Sequence, residues 1–598
     1  MPRSQLISKA CAIPKKKPAQ SAQQISGARL LIQCLERHGV QKIFGIPGAK
    51  IDTVFDALRD SKIQLILCRH EQNAAFMAAA HGRLTGQPGV VLVTSGPGVS
   101  NLATGLLTAT TEGDPVVAIG GNVSRAMKLK ESHQATNNIK LLESVTKSSV
   151  EITLAKNIPE IIDNAFRIAT QPKRGAAFIS FPQDIGHELT EAQPHSELRA
   201  LQQGPACEHL IQETFDLILK AKLPVLLLGQ EASLPENTQA IRDFLTQIPL
   251  PVINTFQAAG TISRSLQHCF FGRVGLFKNQ PGDQLLDLAD LIITVGFNPV
   301  EYDPELWNIK SNIKSNLKSN LKSQAPKKII SIDQKLCDIH TSYRPALELI
   351  GQISSTLNQL SNLLISYKNK NKIKNIFNYL DQKAVQLIKK SQLALLNFRP
   401  IKNNKNKNLI HPLDFIHALR EAIDDQVLIT CDIGTNYMWM ARYFYIFEPR
   451  HLLFSNGQQT LGVALPWAMA ARLAYPKKTI ISISGDGGFL FSSMELETAV
   501  RYKISLIHFV WVDGFYDMVK EQQLLKYQRD SGVKLGYVDI VKYAESFGAV
   551  GEKINSAAQI PEILKKYKNH QGPVLIEIPI DYQDNPLLFK ITDTQAGH

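Results

Sequence analysis

Cysteine is scarce in this 598-residue chain, and no two of its seven copies form a C-x-x-C pair. Cys11, Cys34, Cys68, Cys207, Cys269, Cys337 and Cys431 are odd in number and scattered. This excludes a disulfide framework and a cysteine-rich zinc site, and points to reduced thiols in a cytoplasmic setting. Long apolar runs are also missing. None approaches the ~18 residues of a membrane helix, so no membrane association is expected. The N-terminus lacks the apolar core of a secretory signal. Residues 1–28 carry no acid at all, which fits a disordered basic arm better than an organelle transit peptide.

Acids are absent from three further tracts, 308–328, 368–374 and 402–407. Together with residues 1–20 these tracts hold 18 Lys and Arg, so removing them from the total of +13 leaves −5 on the rest. The basic excess belongs to tails and linkers, which argues against a nucleic-acid partner. NIKSNIKSNLKSNLKS (308–323) repeats a four-residue unit and fits a solvated insertion.

What remains is ordinary for an enzyme: 44% hydrophobic and 20% charged residues, in a length that implies three or four domains. The expected organisation is a basic arm (1–25), three αβ domains (26–190, 191–362 and 409–598) and a linker with a helix near 376–396 (363–408). The first and third domains echo each other. GAAFISFPQDI (175–185) resembles GPVLIEIPIDY (572–582), and GVVLVTSGPGVSN resembles TIISISGDGGFLF, with Pro97 in place of the second copy's acid.

TIISIS (479–484) alternates as a strand, and SLIHFVWV (505–512) reads as a second, buried strand. SSMELETAVRYK between them reads as a helix capped by Ser492 or Ser493. A unit this short makes a right-handed parallel crossover. Asp486 and Asp513, 27 residues apart, then both fall at carboxyl ends of parallel strands, where open α/β sheets bind ligands. Gly485, Gly487 and Gly488 let backbone approach a ligand closely. Two carboxylates beside a glycine turn suit Mg²⁺ holding a phosphorylated cofactor. In the first domain Glu71 stands where a strand meets an Ala-rich helix. A Glu there is commonly a simple helix N-terminal charge, but a buried one can share a proton with a ring nitrogen.

HEQNAAFMAAAHGR, TSGPGVSN, the GDG…DGF spacing and NGQQTLGVALPWAMAARLA together resemble the thiamine-diphosphate-dependent decarboxylase/ligase superfamily. FGIPGAKIDTVFDAL, NLATGLLTATTEGDPVV and FGRVGLFKNQPGD are closer still to its catabolic acetolactate synthases. The resemblance covers about residues 26–590. It implies an α/β fold of three doubly wound parallel-sheet domains: pyrimidine-binding, central and diphosphate-binding. It implies a homodimer or homotetramer with the active site between subunits, and no regulatory small subunit. The implied activity joins two pyruvate molecules, with loss of CO₂, into 2-acetolactate through a hydroxyethyl–cofactor carbanion, for acetoin formation or branched-chain amino acid supply. A flavin-dependent pyruvate oxidase, or another decarboxylase of the superfamily, is the alternative.

The resemblance also assigns residues. Glu71 matches the glutamate that contacts the cofactor's aminopyrimidine, and Leu461 the apolar wedge that bends the cofactor. Asp486, Asp513 and the carbonyl of Phe515 match the Mg²⁺ ligands. Gly434, Thr435 and Asn436 match diphosphate contacts. Gly48, Gln134, Lys147, Met518 and Gln522 match positions near the reacting keto acid. Anabolic relatives carry Trp where Gln522 stands, which favours 2-ketobutyrate, so Gln522 argues for pyruvate as second substrate. FAD is not expected: the central block has no G-x-G-x-x-G, and catabolic members work without flavin.

Overall fold

A computed structural model of the chain describes residues 24–196, 203–308, 327–371, 378–398 and 408–589. The basic arm and the repeat insertion lie outside the described residues, apart from residues 24, 25 and 308. Three six-stranded sheets, each parallel throughout, carry the chain. The first has its strands between Lys42 and Pro182, the second between Pro224 and Ile350, the third between Leu428 and Pro579.

Numbered within its own sheet, the first orders its strands 2-1-3-4-6-5, and so does the third. The central sheet is wound 3-2-1-4-5-6. The internal echo read from the sequence is therefore an identity of topology between first and third domains. Its two quoted segments occupy equivalent strands, Ala176–Pro182 and Pro573–Pro579.

The inner strands, such as Gly89–Val93, Pro224–Leu228 and Leu506–Val512, are largely apolar and buried on both faces because helices cover both sides, the arrangement parallel sheets require. The helices Glu71–Thr85 and Ala464–Ala474 are rich in alanine, and small side chains let them pack closely against each other. Ala74–Ala80, Trp467 and Met469 belong to one apolar cluster that spans the first and third domains.

The unit from Ile480 to Val512 departs from the sequence reading in its middle. The strands Ile480–Gly485 and Leu506–Val512 pair in parallel as expected. The glycine-rich stretch is not a free turn, because the helix Asp486–Leu490 starts directly on the acid. The expected single helix is broken into a 3-10 turn, Ser493–Glu495, and a short helix, Leu496–Arg501. Ser492 precedes that turn but makes no cap bond. Its hydroxyl instead lies 2.8 Å from Asn73 Oδ1 and 2.6 Å from the Gly462 carbonyl. The linker helix is Lys383–Leu396, and it docks on the central domain through Lys389, which donates to the Gln267 carbonyl at 2.7 Å. No helix of the described residues is long and apolar enough to cross a membrane.

Candidate active site

In the third domain, adjacent strands deliver three loops to one place. Leu428–Cys431 leads into Asp432–Asn436, Ile480–Gly485 into Asp486, and Leu506–Val512 into Asp513. The first two flank the point where strand order reverses, the crevice in which such sheets bind ligands. Asp486 Oδ1 accepts the Gly487 N–H and Oδ2 accepts the Gly514 N–H, each at 2.9 Å. The second bond ties the two acid-bearing loops together.

Burial raises the carboxyl of Asp486 above its ordinary range. Burial, with the charges of Asp486 and Asp517, pushes Asp513 up to about 8. Desolvated carboxylates that repel each other fit a divalent cation, which relieves both effects. No group of three His, Cys, Asp or Glu among the described residues can hold a metal alone. An ion here therefore needs further oxygens, and the Phe515 carbonyl and a bound phosphate are of the right chemistry.

The loop 432–436 is held by its own side chains. Gly434 has φ 138°, a conformation that side chains resist. Asn436 donates its amide to the Asp432 carbonyl at 2.9 Å, so that side chain shapes the loop. Thr435 donates to Asp517 at 3.1 Å, and Asp517 also accepts from the Asn585 amide. Asp517 begins the helix Asp517–Tyr527, which carries Met518 and Gln522. Met518 is half-buried and Gln522 exposed.

The first domain builds the other half. Glu71 opens its helix, with His70 Nδ1 accepting the Gln72 N–H as the cap. The Glu71 carboxylate is 9% exposed, and Oε2 accepts the Asn101 amide at 2.9 Å. Oε1 faces Gly98, where an added Cβ would sit 3.5 Å away. The turn Thr94–Gly98 is the hub. A Cβ on Gly48 would lie 2.5 Å from Thr94, so only glycine fits there. Ser95 donates to Gln134 Oε1 at 3.0 Å, and Gln134 adopts φ 62°. A left-handed glutamine is costly, and such outliers concentrate at functional clefts. Gly48, Glu71 and Gln134 are thus brought together, on the turn equivalent to the one bearing Asp486.

Lys147 is placed elsewhere. Its ammonium donates to the Ile168 and Gln171 carbonyls at 2.5 and 2.8 Å, closing the end of helix Ile158–Thr170. Burial lowers its pKa to about 8. Those partners make it a helix-terminal brace, and no bond joins it to the Glu71 group among the described residues.

The two halves are tied within the chain by residues the sequence did not single out. Glu495, fully buried, accepts the N–H groups of Arg69 and His70 at 2.9 and 3.0 Å and the Asn73 amide at 3.2 Å. The segment after Asp486 thereby fixes the start of the Glu71 helix. Arg83 pairs with Asp114 at 2.7 Å and Glu112 at 3.2 Å, and donates to the Phe454 carbonyl at 2.9 Å. Asn101 and Asp432 were also missed. Their positions, after TSGPGVS and at a strand end, were the available signals.

Comparison with known proteins agrees with this geometry. Three family models match: the thiamine pyrophosphate enzyme N-terminal TPP binding domain over residues 25–142, the central domain over 211–360, and the C-terminal TPP binding domain over 432–578. A Bacillus subtilis (strain 168) protein named acetolactate synthase is 50% identical over 559 residues, 94% of each chain. A Raoultella terrigena protein named acetolactate synthase, catabolic, is 44% identical over 96% of this chain and 98% of its own. An Escherichia coli (strain K12) acetolactate synthase isozyme 2 large subunit is 28% identical over 94% of this chain and 96% of its own.

Proposed function

The chain belongs to the thiamine pyrophosphate enzyme family, among its acetolactate synthases, and on that basis we propose that it condenses two pyruvate molecules, with loss of CO₂, into 2-acetolactate. One observation carries the reading. A buried Glu71 beside the S-G-P-G turn of one sheet is matched by the Asp486–Asp513 pair at the equivalent turn of a sheet with the same strand order.

Bound thiamine diphosphate supplies carbanion chemistry that side chains alone do not. Asp486, Asp513 and the Phe515 carbonyl would hold Mg²⁺ against its diphosphate, with Gly434, Thr435 and the glycines around Asp486 at the phosphates. Glu71 would hold or release a proton at the aminopyrimidine, its orientation kept by Asn101. Leu461 would press on the cofactor's apolar face. Gln134, Gln522, Met518 and Gly48 would surround the keto acid, whose carboxylate suits an amide donor. The working form in this reading is a homodimer or homotetramer that completes the site between subunits, without a small subunit. In this reading the domains divide near residue 190 and across a linker from about 363 to 408.

We read the central domain as free of flavin. Buried Glu301 accepts the Gln230 and Asn298 N–H groups, each at 2.9 Å, and the Thr255 hydroxyl at 2.6 Å. Those groups follow or end strands at the central sheet's reversal point, where a nucleotide phosphate would need the same donors. A carboxylate already there competes with it.

Incubating the protein with pyruvate, thiamine diphosphate and Mg²⁺ and measuring acetolactate, acetaldehyde and acetate separately tests the proposal. Acetolactate is the expected main product. Acetate, together with flavin absorbance of the purified protein, would identify an oxidase instead.

A further inference from the structure

Leu461 lies in the loop between the strand Leu452–Leu453 and the helix Ala464–Ala474. That loop is anchored on both sides of Leu461 by buried carboxylates from different domains. On the near side, Glu112 of the first domain accepts the Gly457 N–H at 2.6 Å, and Thr108 and Thr460 bond through their hydroxyls at 2.9 Å. Glu112 is fully buried, is paired with Arg83, and also accepts the amide of Gln257 from the central domain at 2.8 Å.

On the far side, Asp432 is 1% exposed, and its two oxygens lie 2.9 and 3.0 Å from the Gly462 nitrogen. It also accepts the Ile433 N–H at 2.9 Å. No cation pairs with it among the described residues. Burial raises its carboxyl above the ordinary range, and the backbone amides before the helix Ala464–Ala474, where an anion is favoured, oppose that rise. The same carboxylate packs on the Asp486 turn: a Cβ on Gly488 would lie 3.1 Å from it. One side chain therefore fixes the loop of Leu461 relative to the turn that bears Asp486.

We propose that Asp432, with Glu112 at the other end of the loop, is a positioning residue that sets where Leu461 stands over the diphosphate-binding turn. This rests on the reading of Leu461 as the cofactor's apolar wedge. Asp432→Asn is nearly isosteric, but it puts an N–H₂ group among N–H donors and frees one end of the loop.

The test is a double-mutant cycle of Asp432→Asn and Leu461→Ala, read as hydrogen–deuterium exchange at C2 of saturating bound cofactor. Cofactor affinity and apoenzyme melting are recorded on the same samples. Each single change should slow exchange by about 10- to 100-fold, the scale of a misplaced reacting geometry. In the Leu461→Ala background, Asp432→Asn should alter exchange by less than about twofold, because residues acting through one another are not additive. Wild-type exchange in Leu461→Ala alone would remove the wedge role itself. Slowed exchange in Leu461→Ala with a full further loss from Asp432→Asn would overturn the positioning role and leave the wedge standing. If Asp432→Asn fails to fold, Thr460→Val takes its place in the cycle, since it breaks the Thr108 bond without touching a buried charge; the same non-additivity is expected and full additivity overturns the proposal.

Discussion

Asp486 is bonded to two backbone amides, whereas among the described residues Asp513 accepts only the Phe515 N–H, at 3.4 Å. The two acids should therefore respond differently to substitution. On the proposed metal site, Asp513→Asn keeps an oxygen ligand and removes a charge that its neighbours disfavour. It should retain cofactor binding and activity within about tenfold, or roughly 1.4 kcal/mol. Asp486→Ala loses a ligand and the bond that joins two loops, and Mg²⁺-dependent cofactor binding should largely disappear. Titration of cofactor and metal against both variants separates these outcomes; equal damage would mean that the charge of Asp513 is required. Gln522 supports a second expectation. It is exposed on its helix in a single chain, so it has room for a larger side chain. Gln522→Trp should shift the product ratio from a mixture of keto acids toward 2-ketobutyrate, by about 1–3 kcal/mol for one methylene. An unchanged ratio would place Gln522 outside the pocket. Asp486 and Asp513 were legible as candidates because a strand pattern and glycines surround each. Asp432 and Asp517 stand in similar sequence surroundings, yet their partners Gly462 and Thr435 are 30 and 82 residues away. Local sequence carries no record of such bonds.

The segment 486–501 shows the same limit at the level of an element. Its helical periodicity was readable, and helix did form. Its interruption was not, because Ser492 and Glu495 serve Asn73, Arg69 and His70, more than 400 residues earlier in the chain. Tertiary bonds override a propensity worth only fractions of a kcal/mol per residue. Glu495→Ala leaves two part-buried N–H groups without their acceptor and the buried Asn73 amide with only the Met494 sulfur. A loss of about 1–3 kcal/mol per unsatisfied group is the usual scale, so chemical denaturation should show the variant well below wild type. Glu495→Gln keeps an acceptor and should lie between them. Stability equal to wild type in Glu495→Ala would mean that water replaces the lost acceptor and that the tie between the halves is weak.

For the whole molecule, the repeat of GAAFISFPQDI as GPVLIEIPIDY foretold the shared strand order of the outer domains, because equivalent strands keep equivalent faces buried. The central sheet's different winding had no comparable signal, since strand sequences such as PVLLL and LIITV carry no record of their order in a sheet. Two related domains with an acid in only one turn leave one proposed metal site and one Glu71 per chain, and on the proposed assembly each site joins halves from two chains. Mixing Glu71→Gln with Asp486→Ala subunits should then restore part of the activity that neither homo-oligomer has. Absence of recovery, with subunit exchange demonstrated, would count against a shared site. Exchange of the bound cofactor's C2 proton for deuterium tests the role of Glu71 most directly. Glu71→Gln keeps a side chain that Asn101 can still bond, so folding and cofactor affinity should persist. Exchange should slow by about 10²- to 10⁴-fold, the usual contribution of a positioned acid–base group. Exchange at the wild-type rate in a fully loaded Glu71→Gln enzyme would contradict the assignment.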